Sequence, residues 1–572
     1  GRFLPETEIF AGEQVFEANE KIVELLQARG SLLHHEAFRH SYPHCWRHKS
    51  PVIFRATPQW FIGMDRQGLR SQALTAIASV GWVPEWGEQR IRAMVEGRPD
   101  WCISRQRTWG VPIALFVDRQ SGEPHPDSVE ILEHVARAVE ERGIDAWYEM
   151  EPQQLPVDIS GQYEKATDIM DVWVDSGLAH HCVGALFPAV AGTADLYLEG
   201  SDQHRGWFQS SLLTAVAMHG DAPYRQVLTH GFTVDERGRK MSKSLGNVIA
   251  PQKVVNSLGA DVLRLWVAAT DYRGEISVSD EILKRVSDSY RRIRNTARFL
   301  LGNLHQFDPA VDSVAVEQML ALDRWALQRA EALHQKVTAA YESYDFHQIY
   351  QGIHNFCIVE LGGFYLDVLK DRLYTTPAHG LARLSAQTAM YHIAEALVRW
   401  LAPILCFTAE EIWAALPGER PPSVMLGQWH QLPHVEAGAN DPDWPRILQV
   451  REAVAKELER LRENGVIGSA LEADVTLYCD GALRDSLNDL GEELRFVLIT
   501  SEARVRAGTD RDPAASAAES IDGLWIGAVA SADPKCSRCW HRRADVGSDA
   551  THPEICGRCI SNLAAGETRR FA

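Results

Sequence analysis

The strongest constraint on the fold is a change of apolar periodicity near residue 281. Downstream of it, four segments carry apolar residues at i, i+3 and i+4, namely 281–304, 322–343, 347–369 and 381–401. Amphipathic helices of this length bury their apolar stripes against one another. The sequence therefore predicts a helical bundle that begins near residue 281.

Upstream of residue 281 the pattern is that of an open α/β sheet. The apolar run 194–198 predicts a buried parallel strand, the polar segment 199–206 a turn, and 207–218 a helix. Ligands bind such sheets outside the carboxyl ends of the strands. Alternation over 172–176 predicts a further strand that leads into a turn. In the polar segment, Asp202 is equally well explained as a turn or helix-capping residue.

A cationic loop follows a third apolar run, at 227–228. Residues 238–247 read Gly-Arg-Lys-Met-Ser-Lys-Ser-Leu-Gly-Asn, and Pro251 suits the first position of the next helix. Lysine ammonium groups and hydroxyls bind phosphate, and glycines let the backbone approach a ligand closely. The loop is therefore a candidate phosphate site, with a solvated basic surface loop as the alternative.

Four cysteines near the end of the sequence have the spacing of a zinc site. Cys536 and Cys539 form one C-x2-C pair, and Cys556 and Cys559 form another after sixteen intervening residues. Such pairs can surround one tetrahedral zinc ion, although four free thiols or two disulfides are alternatives. Seven cations near these cysteines predict a basic surface for an RNA backbone: Lys535, Arg538, Arg542, Arg543, Arg558, Arg569 and Arg570.

Length and composition limit the function classes. With 572 residues, 45% hydrophobic and 24% charged, the chain is expected to form three to five globular domains. The other six cysteines are scattered singly, and we find no membrane span or signal peptide, so we predict a cytoplasmic protein without a membrane partner. A net charge of −19 argues against non-specific coating of nucleic acid, but it permits a local basic track.

Such a track is predicted on the first helix of the bundle. Five of its six basic residues, all except Arg294, recur at intervals of seven and form adjoining stripes on one face. A solvated charged face is the alternative to phosphate contact. The basic residues are Lys284, Arg285, Arg291, Arg292, Arg294 and Arg298.

Three motifs resemble one known family. Lys-Met-Ser-Lys-Ser at 240–244 matches the second signature of class I aminoacyl-tRNA synthetases. Cys-Ile-Ser-Arg-Gln-Arg-Thr-Trp-Gly-Val-Pro at 102–112 and the four-cysteine tail resemble the isoleucyl branch. The resemblance implies a Rossmann-type catalytic core and an ATP-dependent isoleucine-tRNA ligase. A valyl or leucyl enzyme and a non-catalytic tRNA-binding descendant are the alternatives.

The resemblance also implies roles for individual residues. Lys243, assisted by Lys240, would stabilise the triphosphate of ATP, with Ser242 and Ser244 in the same site. Glu199 would contact the adenylate and Gln203 the ammonium group of the amino acid, while Trp173 and Trp207 would wall an apolar pocket. The implied partners are ATP with Mg²⁺, L-isoleucine and isoleucine tRNA, and we expect a monomer with one structural Zn²⁺. The tRNA contacts are assigned to Arg285, Arg291, Arg292, Arg298, Arg542 and Arg543.

The expected domain order follows from the same motifs. It is an editing-insertion remnant at 1–60, the catalytic second half at 61–280, a helical anticodon-binding domain at 281–435, a small mixed module at 436–530 and the zinc module at 531–572. In the mixed module we predict a helix at 447–464, strands at 475–478, 496–499 and 524–526, and a flexible loop at 507–518.

Two features limit these expectations. No His-Ile-Gly-His signature occurs in the sequence, and in the family it stands far upstream. We therefore expect an N-terminally truncated chain that lacks the editing residues and forms little adenylate alone. Cys45 and His48 have the spacing of two metal ligands, but two ligands alone do not predict a metal site.

Overall fold

The computed structural model describes residues 1–45, 47–159, 161–242, 245–436, 438, 441–564 and 566–572. The chain divides into two compact units, Gly1–Leu228 and Thr229–Ala572. Within the described ranges, no helix has both the length and the apolar character needed to cross a membrane. These two units do not test the five-domain order expected from the sequence, which stays a prediction.

The first unit is a mixed α/β structure. Its helices are α1 (Ala18–Ala28), α2 (Leu69–Ala78), α3 (Trp86–Glu96), α4 (Ser128–Arg142), α5 (Asp145–Glu149), α6 (Val172–Gly177), α7 (Ala179–Leu186) and α8 (Trp207–His219). Its strands are β1 (Phe61–Ile62), β2 (Gly81–Val83), β3 (Trp101–Cys102), β4 (Ser104–Arg105), β5 (Phe116–Asp118), β6 (Tyr163–Lys165), β7 (Ile169–Met170) and β8 (Ala194–Gly200); β9 (Tyr224–His230) ends this unit and enters the next.

A three-stranded sheet with the order β2-β9-β8 lies at the centre of this unit. Strands β2 and β9 are parallel, with Trp82 opposite Val227. The predicted helix after β8 is confirmed as α8, and Phe208, Leu212 and Val216 are buried on its inner face. The strand at 194–198 is also confirmed, but it is not buried throughout, since Leu198 is half exposed. Three antiparallel strand pairs, β1–β3, β4–β7 and β5–β6, lie outside this sheet.

The strand predicted at 172–176 is wrong, because these residues form helix α6. The Asp171 side chain caps the helix by accepting a hydrogen bond from the Trp173 N–H at 3.4 Å. An alternation over five residues is too short to exclude a capped helix. The apolar periodicity of residues 15–28 also predicts a helix, which the structure confirms as α1, although α1 begins at Ala18.

The second unit is mainly helical. Its helices are α9 (Pro251–Leu258), α10 (Ala260–Ala269), α11 (Asp280–Asn303), α12 (Ala321–Glu342), α13 (Phe346–Asn355), α14 (Leu366–Thr375), α15 (Leu381–Leu401), α16 (Cys406–Ala415), α17 (Trp444–Glu463), α18 (Gly481–Asp489), α19 (Leu494–Leu498) and α20 (Gly557–Ala564). Its further strands are β10 (Thr233–Val234), β11 (Ile276–Ser277), β12 (Ala473–Tyr478), β13 (Glu502–Arg506), β14 (Ser516–Ala517) and β15 (Trp525–Ala530).

The four predicted bundle segments are confirmed as helical. The segment 347–369 is longer than predicted, since α13 passes through a π-helix at Phe356–Tyr365 into α14. Within the bundle, a fully buried ion pair joins Arg372 to Asp323. The Asp323 carboxylate also accepts hydrogen bonds from Tyr365 and Ser385, so its charge is compensated inside the core.

The position of Asp261 directly before an apolar segment predicts that it caps the helix from residue 262, but it does not cap that helix. Helix α10 begins at Ala260 with Gly259 as its N-cap, so Asp261 already lies in the first turn. Its carboxylate instead accepts hydrogen bonds from Thr408 N at 2.7 Å and Thr408 Oγ1 at 2.6 Å, at the start of α16. The free N–H groups of one helix end thus recruit a side chain from another helix.

The small module contains a four-stranded sheet with the order β13-β12-β15-β14. The predicted strands at 475–478 and 524–526 are confirmed, and the helix at 447–464 is confirmed as α17. The strand predicted at 496–499 is wrong, since α19 covers Leu494–Leu498 and Ile499 follows as its C-cap. A short buried apolar run does not distinguish a strand from a helix. The segment 507–518 contributes β14 to the sheet.

Candidate functional site

The phosphate-loop candidate follows β10 and is organised by Asp235. The buried Asp235 carboxylate accepts hydrogen bonds from Arg237 N at 3.0 Å, Arg239 N at 2.9 Å and Arg239 Nε at 2.9 Å. A fourth donor is Asn247 Nδ2 at 3.0 Å. Hydrogen bonds from Asn247 and the Arg239 backbone hold the pKa of Asp235 well below its usual range. The carboxylate is therefore a fixed anchor at the base of the loop.

Asn247 closes the same loop from its other end. Its Oδ1 accepts a hydrogen bond from Ser242 N at 2.9 Å, while its Nδ2 donates to Asp235. The sequence interpretation assigned no role to either Asp235 or Asn247. The available signal was their chemistry, because Asp and Asn side chains commonly bond the backbone of a nearby turn.

The structure describes two of the four predicted ATP-binding residues, Lys240 and Ser242. Lys240 is exposed, with its Nζ 5.0 Å from the ring centroid of Phe232. Ser242 is half-buried and its N–H is held by Asn247. Lys243 and Ser244 lie outside the described residues. The catalytic and ATP-binding roles of all four stay predictions.

The residues predicted to bind the amino acid lie in the first unit, at the carboxyl end of β8. Glu199 is exposed at the end of the strand, and Gln203 follows in the 3-10 turn Ser201–His204. Gln203 Oε1 accepts a hydrogen bond from Trp207 N at 2.9 Å, which caps the start of α8. The turn therefore places these three predicted residues at one edge of the sheet.

Trp173 approaches the same turn because residue 206 is a glycine. A Cβ at Gly206 would lie 2.6 Å from Gln203 Oε1 and 2.8 Å from the Trp173 ring. The Trp207 ring stacks on Tyr197 with centroids 4.1 Å apart, and its Nε1 donates to Ser176 O at 3.0 Å. Fixed aromatic walls of this kind suit an apolar side chain. The assignment of Glu199, Gln203, Trp173 and Trp207 to a substrate stays a prediction.

The predicted basic face is present on α11 and exposed. Arg291 forms an ion pair with Asp288 at 2.9 Å, and Arg285 pairs with Glu281 on the same helix. Arg292 and Arg298 are exposed and form no ion pair with any described residue. Surface pairs of this kind are weak and can open to meet a phosphate. Contact of these arginines with tRNA stays a prediction.

The four cysteines converge as predicted. Cys536 Sγ lies 3.7 Å from Cys559 Sγ, and Cys539 Sγ lies 3.7 Å from Cys556 Sγ. All four sulfurs lie within 4.8 Å of one another and are buried. A zinc ion with Zn–S bonds of about 2.3 Å needs sulfurs about 3.8 Å apart at the corners of a tetrahedron. The cysteines fit one structural zinc ion.

The basic surface predicted around the knuckles is wrong for Arg558 and Arg569. Both side chains are almost fully enclosed, and both donate to the carboxylate of Asp371 in α14. The zinc module packs against α14, so these charges serve an internal contact. Arg543 is half-buried and pairs with Glu502 at 2.8 Å, and Arg542 donates to Asp533 O at 3.1 Å. A tRNA contact of Arg542 and Arg543 stays a prediction.

Comparison with protein families explains this combination of parts. The family model of class I tRNA synthetases (I, L, M and V) matches residues 9–279. Curated isoleucine–tRNA ligases of Alkalilimnicola ehrlichii and Nitrosococcus oceani are each 60% identical across the whole chain. Residues 9–279 belong to the class I tRNA synthetases. The chain spans 61% of the length of each of these two relatives.

Two further family models match segments of the chain after residue 279. The model for the anticodon-binding domain of tRNA ligase matches residues 323–477, and that for the zinc finger found in FPG and IleRS matches 533–562. The predicted fold class, with catalytic, anticodon-binding and zinc parts, is confirmed. Among solved structures, a Mycobacterium tuberculosis methionyl-tRNA synthetase in complex with methionyl-adenylate aligns with a TM-score of 0.45 at 19% identity, covering 64% of each chain.

Proposed function

We propose that this chain is part of an isoleucine-tRNA ligase. The enzyme activates L-isoleucine with ATP and Mg²⁺, and it transfers the isoleucyl group to isoleucine tRNA. The observation that carries the proposal is the 60% identity, along all of this chain, to curated isoleucine–tRNA ligases. We further propose a cytoplasmic monomer with the five-part domain order given above.

The chemistry of the predicted phosphate-binding and amino-acid-binding residues supports this function. Lys240 and Lys243 supply positive charge on a loop that Asp235 and Asn247 anchor. Charge neutralisation and positioning are the main requirements when a carboxylate attacks a phosphate. Among the predicted amino-acid-binding residues, Trp173 and Trp207 offer apolar walls for an aliphatic side chain. The reaction therefore needs no nucleophile from the protein.

The test is amino-acid-dependent exchange of pyrophosphate into ATP by the product of the complete gene. We expect exchange with isoleucine in preference to valine and leucine, and a loss of about 100-fold or more in Lys243→Ala. Lys253→Ala, an exposed lysine on α9, is the matched control and should retain exchange.

Other outcomes separate the alternatives. Exchange selective for valine or leucine would assign the chain to another branch of the family. Binding of tRNA without exchange for any amino acid would support a non-catalytic descendant and contradict the proposal.

A further inference from the structure

Two contacts fix the indole ring of Trp207. The ring stacks on the ring of Tyr197, with centroids 4.1 Å apart and planes inclined by 8°. Its Nε1 donates to Ser176 O at 3.0 Å. The stack restricts tilting of the indole, and the directional hydrogen bond restricts its rotation within the ring plane. Since Trp207 is only half-buried, part of this fixed ring stays accessible to a ligand.

Tyr197 is itself held in the core of the first unit. The residue lies on β8 and is 6% exposed. Its hydroxyl lies 3.2 Å from Ser211 Oγ on α8, and its ring centroid lies 4.8 Å from that of Tyr224 on β9. A close-packed interior leaves such a side chain little freedom to move. The position of the Trp207 indole therefore follows the position of the central sheet.

We propose that Tyr197 is a positioning residue that sets the selectivity of the enzyme for isoleucine over valine. Tyr197 does not touch the amino acid and acts through Trp207, the wall against which the aliphatic side chain packs. The inference rests on the proposed function and on the predicted contact between Trp207 and isoleucine. It gives a role to a residue for which the sequence interpretation had none.

Selectivity between these two amino acids depends on how firmly the wall of the pocket is held. Isoleucine and valine differ by one methylene group, for which an apolar pocket discriminates about 10- to 200-fold. This discrimination comes from contact with wall atoms, and the contact energy falls steeply when a gap opens. A tilted indole would therefore weaken the binding of isoleucine more than that of valine, because valine lacks the methylene group that needs the wall.

Trp173, the other predicted wall, is positioned in a different way. It is 40% exposed, and its ring approaches the turn where a Cβ at Gly206 would lie 2.8 Å from it. Its place depends on the glycine rather than on the stack with Tyr197. Replacing Tyr197 should therefore disturb one wall and leave the other in place.

The test measures exchange of pyrophosphate into ATP by the product of the complete gene, with isoleucine and with valine. The readout is the ratio of kcat/KM for the two amino acids, which does not depend on the fraction of folded enzyme. We expect Tyr197→Leu to lower this ratio about fivefold, because the indole loses its stacking partner. Tyr197→Phe keeps the ring and should retain the wild-type ratio. Tyr197→Met has an unbranched side chain that adapts to core gaps, and it should lower the ratio even if Tyr197→Leu fails to fold.

Phe116→Leu is the matched control for the loss of a buried aromatic ring. Phe116 is 2% exposed and packs edge-on against Trp147, with centroids 5.6 Å apart, in a separate apolar cluster of the same unit. Its replacement should lower the free energy of unfolding but leave the isoleucine-to-valine ratio unchanged. An unchanged ratio in the Leu and Met variants of Tyr197 would overturn the proposal, as would an equal fall of the ratio in Phe116→Leu.

Failure of the inference and failure of the proposed function give different results. If the wild type exchanges with isoleucine in preference to valine and Tyr197→Leu keeps the same ratio, only the inference is wrong. If the wild type shows no isoleucine-dependent exchange, the proposed function is wrong and the inference is overturned with it.

Discussion

The Asp371 carboxylate accepts two hydrogen bonds from the Arg558 guanidinium, at 2.7 and 2.8 Å. Asp371 lies in α14 of the helical bundle, and Arg558 stands between two cysteines of the second zinc knuckle. Although burial raises the pKa of the Asp371 carboxyl, the hydrogen bond from Arg558 and the charge of Arg569 hold it well below its usual range. The pair joins the zinc module to the bundle.

Replacing Asp371 by Asn should destabilise this contact strongly. The substitution keeps the shape of the side chain but removes the charge that Arg558 and Arg569 share, so that Glu567 is the carboxylate that still pairs with both. Breaking one side of a buried ion pair typically costs about 3–5 kcal/mol of unfolding free energy. Equilibrium urea unfolding measures the loss. Glu452→Gln removes an exposed partner of Lys456 and should cost less than about 1 kcal/mol; an equal loss in both variants would contradict the assignment.

Removal of zinc should release the module from α14. Without the ion, the four buried sulfurs lose the metal that holds them together. Structural zinc sites commonly unfold when the metal is removed. We expect a chelator to accelerate amide hydrogen exchange across 533–562 and also in α14, where Asp371 loses Arg558. Helix α8 in the first unit serves as the internal reference and should exchange unchanged. Protection of α14 that survives chelation would show that the contact does not depend on the metal.

The pair formed by His392 and His430 should make stability depend on pH. His392 Nδ1 and His430 Nε2 lie 2.9 Å apart, and burial lowers the pKa of each imidazole to about 4. A lowered folded-state pKa contributes stability above the unfolded pKa of about 6.5, and that stability is lost as the pH falls towards 4.

Between pH 7 and pH 5, the wild type should therefore lose about 2 kcal/mol more stability than His430→Gln. Urea unfolding at several pH values measures the difference. His305→Gln replaces an exposed histidine and should follow the wild type. Parallel pH profiles for wild type and His430→Gln would show that His430 does not make the stability depend on pH.

Asn247 is expected to act as a positioning residue for the phosphate loop. Asn247→Ala removes the acceptor for Ser242 N and a donor to Asp235, so the loop loses its closure but not its lysines. We expect isoleucine-dependent exchange by the product of the complete gene to fall about 10-fold in kcat, since misplaced catalytic groups lose rate. Asn256→Ala removes an Asn on α9 whose Oδ1 accepts a hydrogen bond from Gln252 Nε2, and it is the control. Unchanged exchange in Asn247→Ala would exclude the positioning role.

The features read correctly from the sequence are those with a local pattern. The helical periodicity of 381–401 reproduces α15 residue for residue, because the period of the apolar stripe is a property of the helix itself. The strand, turn and helix at 194–218 were found for the same reason. Short apolar windows gave the errors. Residues 172–176 lie in a helix whose first turn is capped by Asp171, and residues 496–498 lie in a helix that is buried along its whole length.

The spacing of Cys536, Cys539, Cys556 and Cys559 was sufficient to predict a zinc site, because ligands within a knuckle are brought together by the chain itself. The Lys-Met-Ser-Lys-Ser order likewise marked the loop and the family. The partners of individual charges could not be obtained in this way. Arg558 meets Asp371 from 187 positions away, and Asp261 meets Thr408 from 147. Such pairs arise when helices pack, and packing depends on the whole chain rather than on the residues next to each charge.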